Sequence, residues 1–302
     1  FGQPEEILRK VNYFSELLMQ LQNPDYSGSC WGYNFDWQNR ETFRPKNTPT
    51  VVATSFCGEA LFRAYEVTEN NFFLDCALSS CDFVAKDLNR STTVDGDLIF
   101  SYSPLDHSKV YNASLLGAKL LSIGYSYTRN REWYDLAKRA TKTIIDKQQN
   151  DGSWIYGEHT VQNWKDSFHT GFNLECIWKV AKNLNVESFE SPFQKGLDYY
   201  LDNFFDRGTP KYYNNKTYPI DIHSPAQLIV MLSDTEQFAS QKKLIDEVLS
   251  WTIDNMQAPT GAFYYQIKKV ISSKILYMRW AQAWMFKAFT EYLKNVEQEN
   301  LD

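Results

Sequence analysis

The chain repeats itself five times, and this constrains its fold more than any single motif does. Glycine–aromatic segments recur as Gly28-Ser-Cys-Trp31-Gly-Tyr33, Gly96-Asp-Leu-Ile-Phe100-Ser-Tyr102, Gly152-Ser-Trp154-Ile-Tyr156, Gly208-Thr-Pro-Lys-Tyr212 and Gly261-Ala-Phe263-Tyr-Tyr265. The last tyrosines are separated by 69, 54, 56 and 53 residues. A second register, formed by Thr54, Asn112, His169, His223 and Arg279, advances in steps of 58, 57, 54 and 56. Two independent marks sharing one period define a unit of about 56 residues, and periods of this order belong to arrays of supersecondary units.

Within each unit the helical stretches differ in kind. Those preceding the glycine turns, such as Trp133 to Gln149 and Gln241 to Met256, are amphipathic, with apolar residues at three- and four-residue spacing. Those following the turns are apolar nearly all round: Val51 to Tyr65, Ala113 to Tyr125, Phe168 to Val180, Ala226 to Leu232 and Ile275 to Phe289. A helix without a polar face must be buried between others. Each repeat therefore supplies one outer and one inner helix. Pro49, Pro219 and Pro225 punctuate the starts of inner helices, where a missing N–H costs little. The pattern predicts an all-α protein, an α/α toroid of about five helical hairpins, forming one domain over residues 1–302.

Composition narrows the use of such a fold. Of 302 residues, 37 are acidic and 31 basic, giving a net charge of −6 that repels a phosphate backbone, so nucleic acid is not an expected partner. No stretch is apolar for long enough to span a membrane. Five cysteines, Cys30, Cys57, Cys76, Cys81 and Cys176, follow no scaffold or zinc spacing; they read as free thiols and point to a cytoplasmic location. The 9 Trp, 19 Tyr and 20 Phe exceed what a core alone requires and suit the walls of a carbohydrate site, where a flat apolar face and a polar edge are both useful.

Gln149-Asn150-Asp151-Gly152-Ser153-Trp154 resembles the Gln-…-Gly-x-Trp turn of terpenoid cyclases, which also occurs in six-hairpin glycosidases and in α/α-toroid polysaccharide lyases and uronate epimerases. The resemblance covers the whole repeat but not a reaction, because this superfold carries unrelated chemistries. Neither aspartate-rich string of a terpene cyclase occurs in the chain. Only Cys176 lies near enough to His169 to suggest the zinc site of a prenyltransferase. A hydrolase needs two facing carboxylates, and Asp36, Asp95, Asp97, Asp106, Glu158, Asp166 and Asp221 are available without an evident pairing. A non-catalytic glycan-binding toroid is a further alternative.

The resemblance to lyases and C5-epimerases implies proton abstraction from a uronate carbon by Asn, His, Arg and Tyr side chains, without metal or cofactor. On that basis the candidate catalytic residues are His169, His223, Arg279 and Tyr156. Candidate substrate-binding residues are Asn112, Asn173, Trp154, Tyr102, Tyr33, Asp36, Trp37, Gln227 and Trp280. The first turns of the inner helices are expected to open together at one mouth, their free N–H groups favouring an anionic ligand. The polar-aromatic stretch from Trp31 to Arg40 is expected to form a flap over it.

Overall fold

Four of the five apolar stretches of the repeat lie within helices, and the fifth enters one only at its second half. The computed structural model describes residues 3–38, 42–92 and 96–299, and ten α-helices lie among them. These are α1 (Pro4–Gln20), α2 (Val51–Thr68), α3 (Asn71–Lys86), α4 (Tyr111–Thr128), α5 (Arg131–Asp146), α6 (Ser167–Leu184), α7 (Glu190–Phe204), α8 (His223–Asp234), α9 (Phe238–Met256) and α10 (Ala283–Glu299). Arg40 and Asp95 lie outside the described residues.

Odd- and even-numbered helices differ as their patterns require. α5 buries Trp133, Leu136, Ala137, Ala140, Thr141 and Ile144, a stripe at three- and four-residue spacing. α4 has no polar face: every residue from Tyr111 to Gly124 is buried. α8 is likewise buried from His223 to Leu232.

Short antiparallel ladders join the helices. β1 (Trp37–Gln38) pairs with β2 (Phe43–Arg44), Trp37 opposite Arg44, and β3 (Arg90–Thr92) pairs with β4 (Leu98–Phe100), Ser91 opposite Ile99. β5 (Phe205–Asp206) pairs with β6 (Thr209–Pro210), and β7 (Ile220–Asp221) with β8 (Gln266–Ile267), Asp221 opposite Gln266.

The repeated glycines have a conformational reason. Gly96, Gly152, Gly208 and Gly261 all have φ between +79° and +91°, where a side chain would be strained. At Gly152 a Cβ would also stand 2.4 Å from the Lys195 carbonyl oxygen. Glutamines brace two of these turns: Gln257 Nε2 donates to the Gly261 carbonyl at 3.0 Å, and Gln148 Nε2 to the carbonyls of Gly152 and Pro192, both at 2.9 Å. In the third turn the bracing side chain is therefore Gln148, one residue before the glutamine of the sequence motif.

The tyrosine register works through its backbone. The first N–H groups of a helix lack intrahelical partners, and here the next repeat supplies one. Val51 N–H donates to the Tyr102 carbonyl at 2.9 Å, Ser167 N–H to that of Tyr212 at 2.9 Å, and Ile222 N–H to that of Tyr265 at 3.1 Å. Each of these glycine–aromatic turns thus closes the start of the inner helix before it.

Packing divides the chain into two compact units, Phe1–Asp146 with Lys179–Glu187, and Lys147–Trp178 with Ser188–Asp302. The first has Leu61, Phe62, Phe73, Phe83, Phe100 and Leu115 at its centre; the second has Trp154, Leu174, Tyr200, Phe204, Leu228 and Val248.

The stretch from Ile275 to Phe289 departs from expectation. It opens with a π-helical turn at Met278–Gln282, and α10 begins only at Ala283. Met278 and Phe286 remain 79% and 75% exposed, so this segment is not buried on every side. Its apolar residues are too many for the face that packs.

Candidate active site

Two histidines meet in the second unit, both carried on the first turns of inner helices. His169 lies on α6, three residues after Asp166. The Asp166 carboxylate accepts the His169 backbone N–H at 3.0 Å through Oδ1, so it caps the helix. Its Oδ2 stands 2.8 Å from His169 Nδ1 and accepts the Trp164 indole N–H at 2.9 Å. A carboxylate on Nδ1 fixes the proton there and leaves Nε2 as the basic nitrogen. The Asp166 side chain is fully buried, whereas a fifth of the His169 side-chain surface is open. Tyr156 stacks on Trp164 at 4.8 Å and leans on the His169 ring at 4.5 Å.

His223 is held differently. It stacks on Phe168 at 4.7 Å and 9° and is boxed by Trp284 at 4.4 Å, Trp280 at 4.7 Å and Phe172 at 5.7 Å. Among the described residues neither ring nitrogen has a hydrogen-bond partner. Burial, reinforced by nearby His169, holds its pKa well below the ordinary histidine range, so the ring is neutral at pH 7. Phe168 joins the two, its ring centre 4.3 Å from that of His169.

Asp221 positions His223 from below. Oδ1 accepts the His223 backbone N–H and the Trp280 indole N–H, both at 3.0 Å, and Oδ2 accepts Gln266 Nε2 at 3.1 Å. Burial pushes this carboxyl up to about 6, against the pull of those three donors and with a further push from Asp166. Both carboxylates near the histidines are therefore spent on protein donors. One turn deeper, Gln227 Nε2 donates to Glu175 at 3.0 Å, while Gln227 Oε1, Asn173 Oδ1 and Ser224 Oγ are buried without a partner among the described residues.

The first unit contains an aromatic cluster around a buried guanidinium. Arg44, 4% exposed, donates to Asp106 Oδ2 at 2.7 Å and lies over the rings of Trp37 at 5.1 Å and Tyr102 at 4.5 Å. Trp37 stacks on Tyr102 at 5.7 Å and meets Tyr33 edge-on at 6.2 Å. Asn112, at the first turn of α4, is buried with Oδ1 unpartnered among the described residues.

Other expectations are corrected. Trp154 is 1% exposed with its ring against Gly196, so it fills the core between the turn and α7 and does not present a flat face for a sugar to stack on. Thr54 is fully buried and accepts the Trp31 backbone N–H. Asp36 Oδ1 accepts the Lys46 backbone N–H, tying the loop to its own return. Arg279 sits exposed on the π turn and is not enclosed in an apolar helix. At the starts of α2, α6 and α8 some of the first N–H groups are already taken, by tyrosine carbonyls and by the carboxylates of Asp166 and Asp221, so fewer are open to an anion than the sequence suggests. No pattern in the sequence marks the aromatic partners Trp164, Phe168, Phe172 and Trp284. The spacing Asp166-x-x-His169, an acidic cap before a helical histidine, was the available signal for the pair.

No family model matches the sequence, and no curated protein matches it. Solved structures do. A cellobiose 2-epimerase from Bacillus thermoamylovorans is similar with a TM-score of 0.75 at 13% identity, covering 97% of this chain and 86% of the other. A GH76 α-mannanase from Bacteroides thetaiotaomicron gives 0.66 at 12% identity, covering 98% of both chains. An unsaturated glucuronyl hydrolase specific for heparin gives 0.63 at 13%, covering 97% of this chain and 98% of that one. The fold is the all-α toroid that these proteins share.

Proposed function

We propose that the protein is a carbohydrate-active enzyme that moves a proton on and off a sugar carbon adjacent to a carbonyl, as an epimerase. The observation that carries this reading is the pairing of an Asp166-oriented His169 with a neutral, unbonded His223 across Phe168. In this scheme His169 Nε2 takes the proton. His223 donates its N–H to the oxygen that gains charge; a neutral imidazole in an apolar box suits that role. Tyr156, against the His169 ring, is the candidate donor of a proton to the opposite face of that carbon; solvent then takes the proton from His169 and returns one to the Tyr156 phenolate. Asn173 and Gln227 are proposed to receive substrate hydroxyls with their unpartnered oxygens, and Trp280 to wall the site.

Two buried carboxylates stand behind the histidines, which favours an uncharged carbonyl, such as the aldehyde end of a reducing sugar. The similarity to a cellobiose 2-epimerase fits that choice. A uronate is the second reading, with proton abstraction at C5 by a lyase or C5-epimerase. It is favoured by the cation Arg279, next to Trp280 in the chain, as a group to attract the sugar carboxylate. Hydrolysis is disfavoured because Asp166 and Asp221 already accept hydrogen bonds on both oxygens. In the first unit, Tyr33, Trp37, Tyr102 and Asn112 are proposed to bind sugar.

The test is proton NMR in D2O with reducing disaccharides and uronate oligosaccharides. Deuterium at C2 of a reducing end supports the first reading, and deuterium at C5 the second. Cleavage without exchange refutes both. Exchange that survives in His169→Gln or His223→Gln refutes the assigned roles.

A further inference from the structure

The segment after the fifth glycine turn has a character that the active site does not explain. From Asn255 to Thr290 there is no acidic residue, while Lys268, Lys269, Lys274, Arg279 and Lys287 are all basic, in a chain whose net charge is −6. Gln266 and Ser273 exchange backbone hydrogen bonds at 3.1 and 2.8 Å, which folds the intervening residues into a hairpin tip. At that tip Val270 and Ile271 are 89% and 78% exposed, flanked by exposed Lys268 and Lys269. The return strand adds exposed Lys274, Ile275, Leu276 and Met278.

Aliphatic side chains at the tip of a hairpin, adjoined by lysines in a stretch of sequence without acidic residues, match an interface that is apolar inside and anionic at its edge. We infer that this hairpin docks the protein on a membrane surface containing anionic phospholipid, with Val270 and Ile271 entering the acyl boundary and the lysines meeting headgroup phosphates. Charge complementarity selects this occupant: three exposed cations, Lys268, Lys269 and Lys274, lie within one short segment of an otherwise acidic chain. The aliphatic tip selects lipid over an acidic glycan, which offers hydroxyls and carboxylates but no apolar interior. The binding is peripheral, since no helix among the described residues is long and apolar enough to cross a membrane. The same segment continues to Trp280 and Trp284 around His223, so docking would hold that site near the surface.

The test is co-sedimentation of the full chain with phosphatidylcholine vesicles prepared with or without phosphatidylserine. The expected result is at least about tenfold stronger partition onto the anionic vesicles, weakening with salt. Val270→Ser with Ile271→Ser, and separately Lys268→Gln with Lys269→Gln, should each reduce it about tenfold, while Lys243→Gln on α9 should not. The altered side chains are exposed, so helical circular dichroism should be unchanged. Absence of vesicle binding, or binding that neither double variant alters, overturns the proposal. Loss with the lysine variant alone, accompanied by retention on heparin, overturns it in favour of an acidic polymer. A concentration-dependent dimer abolished by the Val270/Ile271 variant overturns it in favour of a second copy of the chain.

Discussion

Asp166→Asn tests the histidine pair without requiring a substrate. The carboxylate accepts three donors: the His169 backbone N–H, His169 Nδ1–H and the Trp164 indole N–H. An asparagine has one acceptor oxygen. If that oxygen keeps the backbone N–H, the amide NH2 faces both the imidazole and the indole. The ring must then accept at Nδ1, and its proton moves to Nε2. If the amide is reversed, its NH2 opposes the helix-start N–H. Either arrangement leaves a buried donor unmet, which costs about 1–3 kcal/mol. The first also removes the basic nitrogen facing substrate, and exchange of this kind in a catalytic triad lowers kcat about 10⁴-fold. We expect a fall in exchange rate of about 10²–10⁴-fold, with a modest loss of stability. The direct assay is nitrogen-15 NMR of the imidazole: wild type should show the proton on Nδ1 of His169, and the variant on Nε2. A wild-type spectrum with the proton on Nε2, or a variant that keeps the wild-type tautomer, would refute the orientation argument whatever the activity.

Further predictions concern stability. Asp221 is raised from 3.8 to about 6, so the folded state holds a proton that the unfolded state has already released. Its contribution to stability therefore falls as pH rises across that window, by about 3 kcal/mol. In Asp221→Asn this decline should vanish, since Gln266 can reverse its amide to face the new NH2; denaturant melts of both proteins between pH 4 and 7 measure the difference, and parallel curves would contradict it. Arg44→Met leaves Asp106 without its cation. Burial alone would raise the Asp106 pKa, and hydrogen bonds from Ser103, Ser108 and Arg44 hold it below the usual value. The expected loss is about 3–5 kcal/mol, read from denaturant midpoints. Gly196→Ala places a Cβ 2.6 Å from the Trp154 ring and should cost about 1–3 kcal/mol in the same melts.

The helical repeat was legible because two periodicities coincide in it: one dictated by burial, the other by glycines that must take positive φ. Gly96, Gly152, Gly208 and Gly261 are where the register placed them. His169 and His223 were legible for the same reason, as polar residues at matching positions on apolar helices. What the sequence did not reveal was how polar groups are spent. Asp166 and Asp221 are two of seven carboxylates to which spacing assigns no pairing, and both are consumed in capping helices and orienting rings. Trp154 looked like a sugar platform and is a core plug, because spacing alone cannot say which side of a turn an indole packs on. Arg279 seemed enclosed because its neighbours are apolar, although Met278 and Phe286 are themselves exposed.

The carbonyl clamps from one turn to the preceding helix have a consequence during synthesis. Val51 waits for Tyr102, Ser167 for Tyr212 and Ile222 for Tyr265, so roughly 40 to 50 residues must still be added before each of these helix starts is closed. At translation speeds of about 5–20 residues per second, each helix emerges and stays unfinished for a few seconds. A nascent chain halted after one of these helices would present an open N-terminus, and the element that completes it lies in codons not yet read.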